Sequence, residues 1–243
     1  MTKCDQQLSR LLIKDCPFWS IEEGIYSVLP TPGSHQYDTK ATLYDLLIGT
    51  RSYNRIIWGA SPHSYVRFAS QAVTSHSDGW LLDAGCGSML FSAQAHLESN
   101  RPVLACDQSL GMLRRARQRL LKLAGAAPER ILLLQADIMA LPFLPTCFQT
   151  ILCMNVLHHC QEAAGLTLCL KELLADGGQI YLTSLVINHR LIGDYYLKAL
   201  HRQGWIARPR KSAGLEVLLR DSLKRGINYR VEGNMAYAMT FTM

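Results

Sequence analysis

Asp83, Asp107 and Asp137 are the residues of this 243-residue chain whose type and spacing point first to chemistry, because each falls where an apolar run ends. Asp83 opens the loop Asp83-Ala84-Gly85-Cys86-Gly87-Ser88-Met89, whose glycines let the backbone approach a ligand and turn sharply. A helix expected over 88–99 would present unpaired N–H groups and its positive dipole end to a carboxylate. Asp107 follows the run 102–106, and an acid there can accept both hydroxyls of a ribose. Asp137 closes Leu132-Leu133-Leu134-Gln135-Ala136 and can accept a hydrogen bond from an exocyclic amine such as that of adenine, with Ile138 packing on the ring. A glycine loop alone means little, and Asp107 alone could simply cap the helix that follows. Acids at three successive strand ends describe a nucleoside pocket.

The elements that must hold these acids alternate along the chain. Apolar runs at 80–84, 102–106, 131–135, 149–154 and 179–185 predict strands, with helices expected near 88–99, 109–124 and 162–174. Strand and helix in alternation imply a parallel sheet covered on both faces, and the runs are near-continuous Leu, Ile and Val as burial on both faces requires. Leu215, Leu218, Leu219 and Leu223 recur at helical spacing, and two strand-like runs around Glu232-Gly233-Asn234 then predict a terminal antiparallel hairpin. Before the sheet, residues 1–79 show helical patterns at 43–48 and 64–73, an irregular link at 27–36, and no strand signal. The expected fold is α/β, a doubly wound and mostly parallel seven-stranded sheet. A helical extension over 1–75 would serve as a lid to a core over 76–243.

Composition narrows the classes. An apolar fraction of 49% with 18% charged residues is that of a globular chain, not a disordered one. No apolar stretch reaches the roughly 18–20 residues of a membrane span. The start Met1-Thr2-Lys3-Cys4-Asp5-Gln6 lacks the basic and apolar runs of a secretion signal, so a cytoplasmic location is expected. The eight cysteines are scattered, without a C-x-x-C pair or a Cys/His ligand set, which predicts free thiols and no metal. The net charge of +6 is concentrated around Arg114–Lys122, Arg202–Lys211 and Arg220–Arg230. Without interleaved aromatics these read as solvated faces, and a nucleic-acid partner is not expected.

Residues 80–185 resemble the core of class I S-adenosylmethionine-dependent methyltransferases, in the broad group of ubiquinone- and menaquinone-biosynthesis-like small-molecule enzymes. The matching residues are Leu82 to Gly87, Cys106-Asp107-Gln108-Ser109 with Met112, Gln135-Ala136-Asp137, Leu141-Pro142-Phe143, Asn155-Val156-Leu157-His158-His159 and Asp176-Gly177-Gly178. The resemblance implies that Asp83, Ala84, Gly85, Cys86 and Gly87 surround the methionine part of the cofactor and that Asp107 takes the ribose. It places Gln108 and Met112 beside ribose and adenine, Asp137 and Ile138 at the adenine, and Asn155 with Val156 near the sulfonium. Met89 stands where many members have a third glycine, and Gln149 replaces an acid common before the fourth strand.

Methyl transfer to a protonated acceptor needs a base, and His158 and His159 follow the fourth strand where the methyl group is expected. Either could instead pack the following loop. Tyr37, Tyr44, Tyr53 and Trp58 are the aromatic candidates for the lid. The span 186–212 is where the family places substrate-side insertions, so a small-molecule acceptor is expected to meet it. S-adenosylhomocysteine would be the product and no metal is implied. Two further readings stay open: methylation of RNA or protein guided by the basic helices, and a cofactor-binding partner subunit without catalysis. A nicotinamide oxidoreductase fits less well, since Met89 interrupts the G-x-G-x-x-G spacing such enzymes use.

Overall fold

A computed structural model of the chain describes residues 2–30, 50–126 and 128–241. The expected strands are β3 (Trp80–Ala84), β4 (Val103–Asp107), β5 (Ile131–Gln135), β6 (Phe148–Met154) and β7 (Leu174–Leu185), followed by the hairpin β8 (Gly226–Glu232) and β9 (Met235–Phe241). Two short strands precede them, β1 (Trp19–Glu22) and β2 (Ile25–Ser27), and the sheet has nine strands in the order β1-β2-β5-β4-β3-β6-β7-β9-β8. The expectation of seven strands, with none before residue 80, is corrected here. Segments of three and four residues have too few positions to show a period of two, so their pairing partners alone define them. β2 runs parallel to β5, with Ile25 opposite Leu133, and β1 folds back on β2. The N-terminal region therefore covers a sheet edge that would otherwise expose a row of unpaired backbone groups.

The helices are α1 (Lys3–Ser9), α2 (Arg51–Tyr53, continuing as a π-helical turn over Asn54–Trp58), α3 (Pro62–Thr74), α4 (Ala93–Glu98), α5 (Leu110–Ala124), α6 (Ala163–Leu173), α7 (Leu191–Arg202) and α8 (Ser212–Leu223). No described helix is long and apolar enough to cross a membrane. Alternation along each central strand sorts side chains onto two faces. Leu82, Leu104, Leu132, Leu134, Ile151 and Leu182 build one continuous core beneath α6 and α8. Leu81, Val103, Ala105, Ile131 and Leu133 build the opposite face with α5, and Leu152, Tyr181 and Tyr237 complete it with α3 and α7. Burial on both sides is what the near-continuous apolar runs required.

β4 and β6 lie on opposite sides of β3, so the strand order reverses at β3. Open α/β sheets bind ligands in the crevice that such a reversal opens beyond the carboxyl ends of the strands.

Candidate active site

Asp83 is the last residue but one of β3 and is 2% exposed. Its Oδ2 accepts hydrogen bonds from Ser92 Oγ and His96 Nε2, each at 2.8 Å. A carboxylate only accepts, so Nε2 carries the proton in the second bond. Ser92 and His96 carry no sequence signal of this role, because their partner lies across the glycine loop. The loop itself is held from β4: the amides of Gly85 and Cys86 both donate to the Cys106 carbonyl at 2.9 Å. Gly85 and Gly87 adopt left-handed φ of 70° and 52°, and Met89 does so at 54°. These conformations interrupt a helix, so α4 begins at Ala93 and not at residue 88. The expected helix N-terminus is thus displaced from the loop, whose Gly85, Cys86 and Gly87 amides are spent on β4.

Asp107 is tied into the same loop. Its Oδ2 accepts from the Gly87 amide at 2.9 Å and its Oδ1 from the Ser109 amide at 2.8 Å. It is not the cap of α5. Ser109 is, accepting from the Met112 amide at 3.1 Å. Beyond β5, Asp137 Oδ1 accepts from the Met139 amide at 2.9 Å. Gln135, fully buried, donates to the Gln108 carbonyl at 3.0 Å and so fixes the loop after β4 from the neighbouring strand.

The end of β6 carries the third part of the site. Asn155 adopts a φ of 59°, a left-handed conformation that asparagine tolerates. Its amide donates to Thr183 on β7, and Thr183 Oγ1 donates back to Asn155 Oδ1 at 3.1 Å. The adjacent histidines hold opposite tautomers. His158 Nδ1 accepts the Leu185 amide at 3.3 Å, which places its proton on Nε2. His159 Nδ1 donates to the Trp205 carbonyl at 3.1 Å, which leaves its basic lone pair on Nε2. Burial lowers the pKa of both, and His158, with His159 and Arg210 beside it, falls well below the ordinary value.

These strand ends enclose a cavity of ≈ 610 Å³. Asp83, Gly85, Cys86, Gly87, Asp107, Gln108, Met112, Asp137, Ile138, Asn155, Val156 and His159 all line it. Four expected residues do not. Ala84 points into the core, because alternation along β3 turns it away from the crevice. His158 is 5% exposed and held against β7. Tyr53 and Trp58 pack with Tyr196 of α7, at ring separations of 6.5 and 5.4 Å, and form part of the core behind the sheet. Tyr37 and Tyr44, with the expected helix over 43–48, lie outside the described residues.

Among the described lining residues, Asp83, Asp107, Asp137 and Glu162 are acidic and none is Lys or Arg. Such a wall repels the pyrophosphate of a nicotinamide dinucleotide and suits a ligand bearing a sulfonium and an ammonium. Burial, with Asp83 and Asp107 adding to it, pushes the Cys86 thiol well above its ordinary pKa, so it presents a neutral S–H. All eight cysteines are free, and among the described residues no cluster of His, Cys, Asp and Glu could hold a metal.

A doubly wound sheet with a terminal antiparallel pair and strand-end acids around a crevice at the switch point is the fold of class I S-adenosylmethionine-dependent methyltransferases. Residues 82–182 match the methyltransferase domain family. The match covers less than half of the chain, and it spans Asp83, Asp107, Asp137 and Asn155 at the strand ends around the crevice.

Phosphoethanolamine N-methyltransferase 2 of Haemonchus contortus, in complex with phosphomonomethylethanolamine and S-adenosylhomocysteine, is similar in fold at a TM-score of 0.66 and 13% identity, over 84% of this chain and 57% of that one. An O-methyltransferase family 2 protein of Planctomyces limnophilus, in complex with apigenin, gives 0.58 at 17% identity, over 86% and 62%. The chain thus spans less than two thirds of either. The YcgJ protein of Bacillus subtilis gives 0.55 at 17% identity, over 69% and 70%. No curated protein sequence matches the chain.

Proposed function

We propose that the protein is a methyltransferase that passes the methyl group of S-adenosylmethionine to a small-molecule acceptor, with His159 taking the proton that the acceptor gives up. The bound cofactor supplies a methyl group on a sulfonium, open to in-line displacement by an electron-rich atom. In this reading Asp83, Gly85, Cys86 and Gly87 surround its methionine part, Asp107 and Gln108 the ribose, and Asp137, Ile138 and Met112 the adenine. Asn155 and Val156 position the reacting end. His159 suits proton acceptance because it lines the cavity with its lone pair on Nε2 and burial favours its neutral form. His158 is assigned a structural part, since its acceptor nitrogen is spent on Leu185.

The observation that carries the small-molecule reading is the acidic cavity, set beside arginines several of which are turned to partners within the fold. Arg114 and Arg117 of α5 pair with Glu22 and Glu23 beside β1, and Arg119 donates to the Ser88 carbonyl at 2.9 Å. Arg210 turns inward onto backbone carbonyls. The acidic lining, with no Lys or Arg among its described residues, would repel the phosphates of a nucleic acid at this mouth, which weighs against an RNA substrate. We take residues 1–75 as an extension of the core 76–243, in which α1, β1 and β2 complete the sheet edge.

The test is incubation with methyl-labelled S-adenosylmethionine and a whole-cell extract, followed by size fractionation. Label is expected in a low-mass fraction, with stoichiometric S-adenosylhomocysteine. Label confined to RNA or protein would refute the small-molecule reading. Calorimetric binding without any S-adenosylhomocysteine would favour a non-catalytic partner subunit.

A further inference from the structure

We infer that Arg210 is a positioning residue for the transfer step, holding the loop that presents His159 to the cavity. The loop runs from Asn155 to Glu162, between β6 and α6. Arg210 Nη1 donates to the Leu157 carbonyl at 3.2 Å, and Nη2 donates to the carbonyls of Cys160 and Gln161 at 2.9 and 2.8 Å. The last two carbonyls precede the first turn of α6 and lie outside its hydrogen-bond ladder, so they are open to a donor from elsewhere in the chain. A planar guanidinium reaches acceptors at separate positions with its fixed fork, which a lysine ammonium does not.

The backbone carrying Arg210 is itself anchored beside the loop. Its carbonyl accepts the Ile187 amide at 2.9 Å, and the Ala207 amide donates to the His158 carbonyl at 3.0 Å. His159 Nδ1 reaches the Trp205 carbonyl of the same segment at 3.1 Å. Residues 205–210, which have no regular secondary structure, therefore grip the loop at both histidines and at its end. The acids of the cofactor pocket hang from β3, β4 and β5 and receive none of these bonds. Loss of Arg210 should thus disturb His159 and leave in place the three acids assigned to the cofactor.

The inference rests on the reading of His159 as the proton acceptor, and its test separates the two. Full-length protein with 15N-labelled histidine is compared with R210A and R210K by the ring-nitrogen shifts of His159, while calorimetry measures S-adenosylmethionine binding. In the parent protein the shifts should report the neutral Nδ1–H form. In R210A they should move toward averaged tautomers, with cofactor affinity within about twofold of the parent, as for an independent site. R210K should fall between the two, and added guanidinium should return R210A toward the parent pattern. With an acceptor in hand, kcat of R210A should drop on the order of 100-fold with KM for the cofactor unchanged, as expected when a reacting group is misplaced.

A His159 pattern unchanged in R210A overturns the inference. So does a loss of cofactor affinity as large as that of Asp107→Ala. Should R210A fail to fold, R210K decides: a parent-like His159 pattern in it overturns the inference. A methyl-transfer rate unchanged in His159→Gln with Arg210 intact overturns the catalytic reading of His159 and leaves the positioning by Arg210 standing.

Discussion

Gly85 and Gly87 lie two residues apart in one loop, both with left-handed φ, yet an added methyl group meets different surroundings at each. At Gly87 nothing lies within 4 Å of the new Cβ. Gly87→Ala therefore costs the left-handed conformation alone, about 1–2 kcal/mol. At Gly85 the new Cβ would fall under 3.0 Å from Val156 Cγ2 and 3.5 Å from Ile138 Cδ1. Val156 is β-branched and stiff, so the clash is relieved by moving the cavity wall, which adds about 1–3 kcal/mol. Gly85→Ala should therefore cost about 2–5 kcal/mol in all, and each kcal/mol lowers Tm by about 2–4 °C in a chain of this size. Urea denaturation of both variants, with and without Val156→Ala, tests the division. The pair 85/156 should show a coupling of about 1–3 kcal/mol that the pair 87/156 lacks. Equal losses at the two glycines, or no coupling to Val156, would refute the reasoning. Cofactor affinity should fall further in Gly85→Ala, because Val156 and Ile138 both line the cavity.

Asp107→Ala removes the acceptor for the Gly87 and Ser109 amides as well as the proposed ribose contact, so calorimetry should show cofactor binding weakened by more than about tenfold, the equivalent of one charge-assisted bond. Normal binding would remove Asp107 from the ribose assignment. Met89→Gly relieves a left-handed φ worth about 1–2 kcal/mol but deletes a fully buried side chain worth about 2–5 kcal/mol. Chemical denaturation should show a net loss of stability, and a gain would mean that strain at residue 89 dominates. Both histidines have depressed pKa values in the folded state, so the unfolded chain binds more protons below the ordinary value of 6.5. Stability should be level above that pH and fall as pH drops below it. His158→Gln and His159→Gln should each flatten that slope, and a slope unchanged by both would assign the acid sensitivity to other groups.

The central strands were legible because each is a short apolar run whose burial on both faces needs no distant information. The strand-end acids were legible because the carboxyl ends of parallel strands border the crevice and a charged side chain there turns away from the core. Ala84 shows the limit, since one step along β3 turns a side chain from the cavity into the core. β1 and β2 were missed because three or four residues hold no periodic signal, and only the edge of β5 gives them a partner. The start of α4 was misplaced because Met89 adopts a left-handed φ that no local propensity predicts.

The sequence by itself determined which loop and acids border the crevice, because the glycine loop, Asp107 and Asp137 take positions set by their own strands. Only the tertiary structure decided what the loop after β6 presents to that crevice. Leu185 and Trp205, distant in the chain, assign opposite tautomers to His158 and His159 and leave one of them facing the cavity. Arg210, one of several basic residues in its stretch, finds its partners in three carbonyls about fifty positions earlier. A proton's place on an imidazole and a guanidinium's choice of partners follow from which backbone groups lie within about 3 Å, and that proximity exists only once the chain has folded.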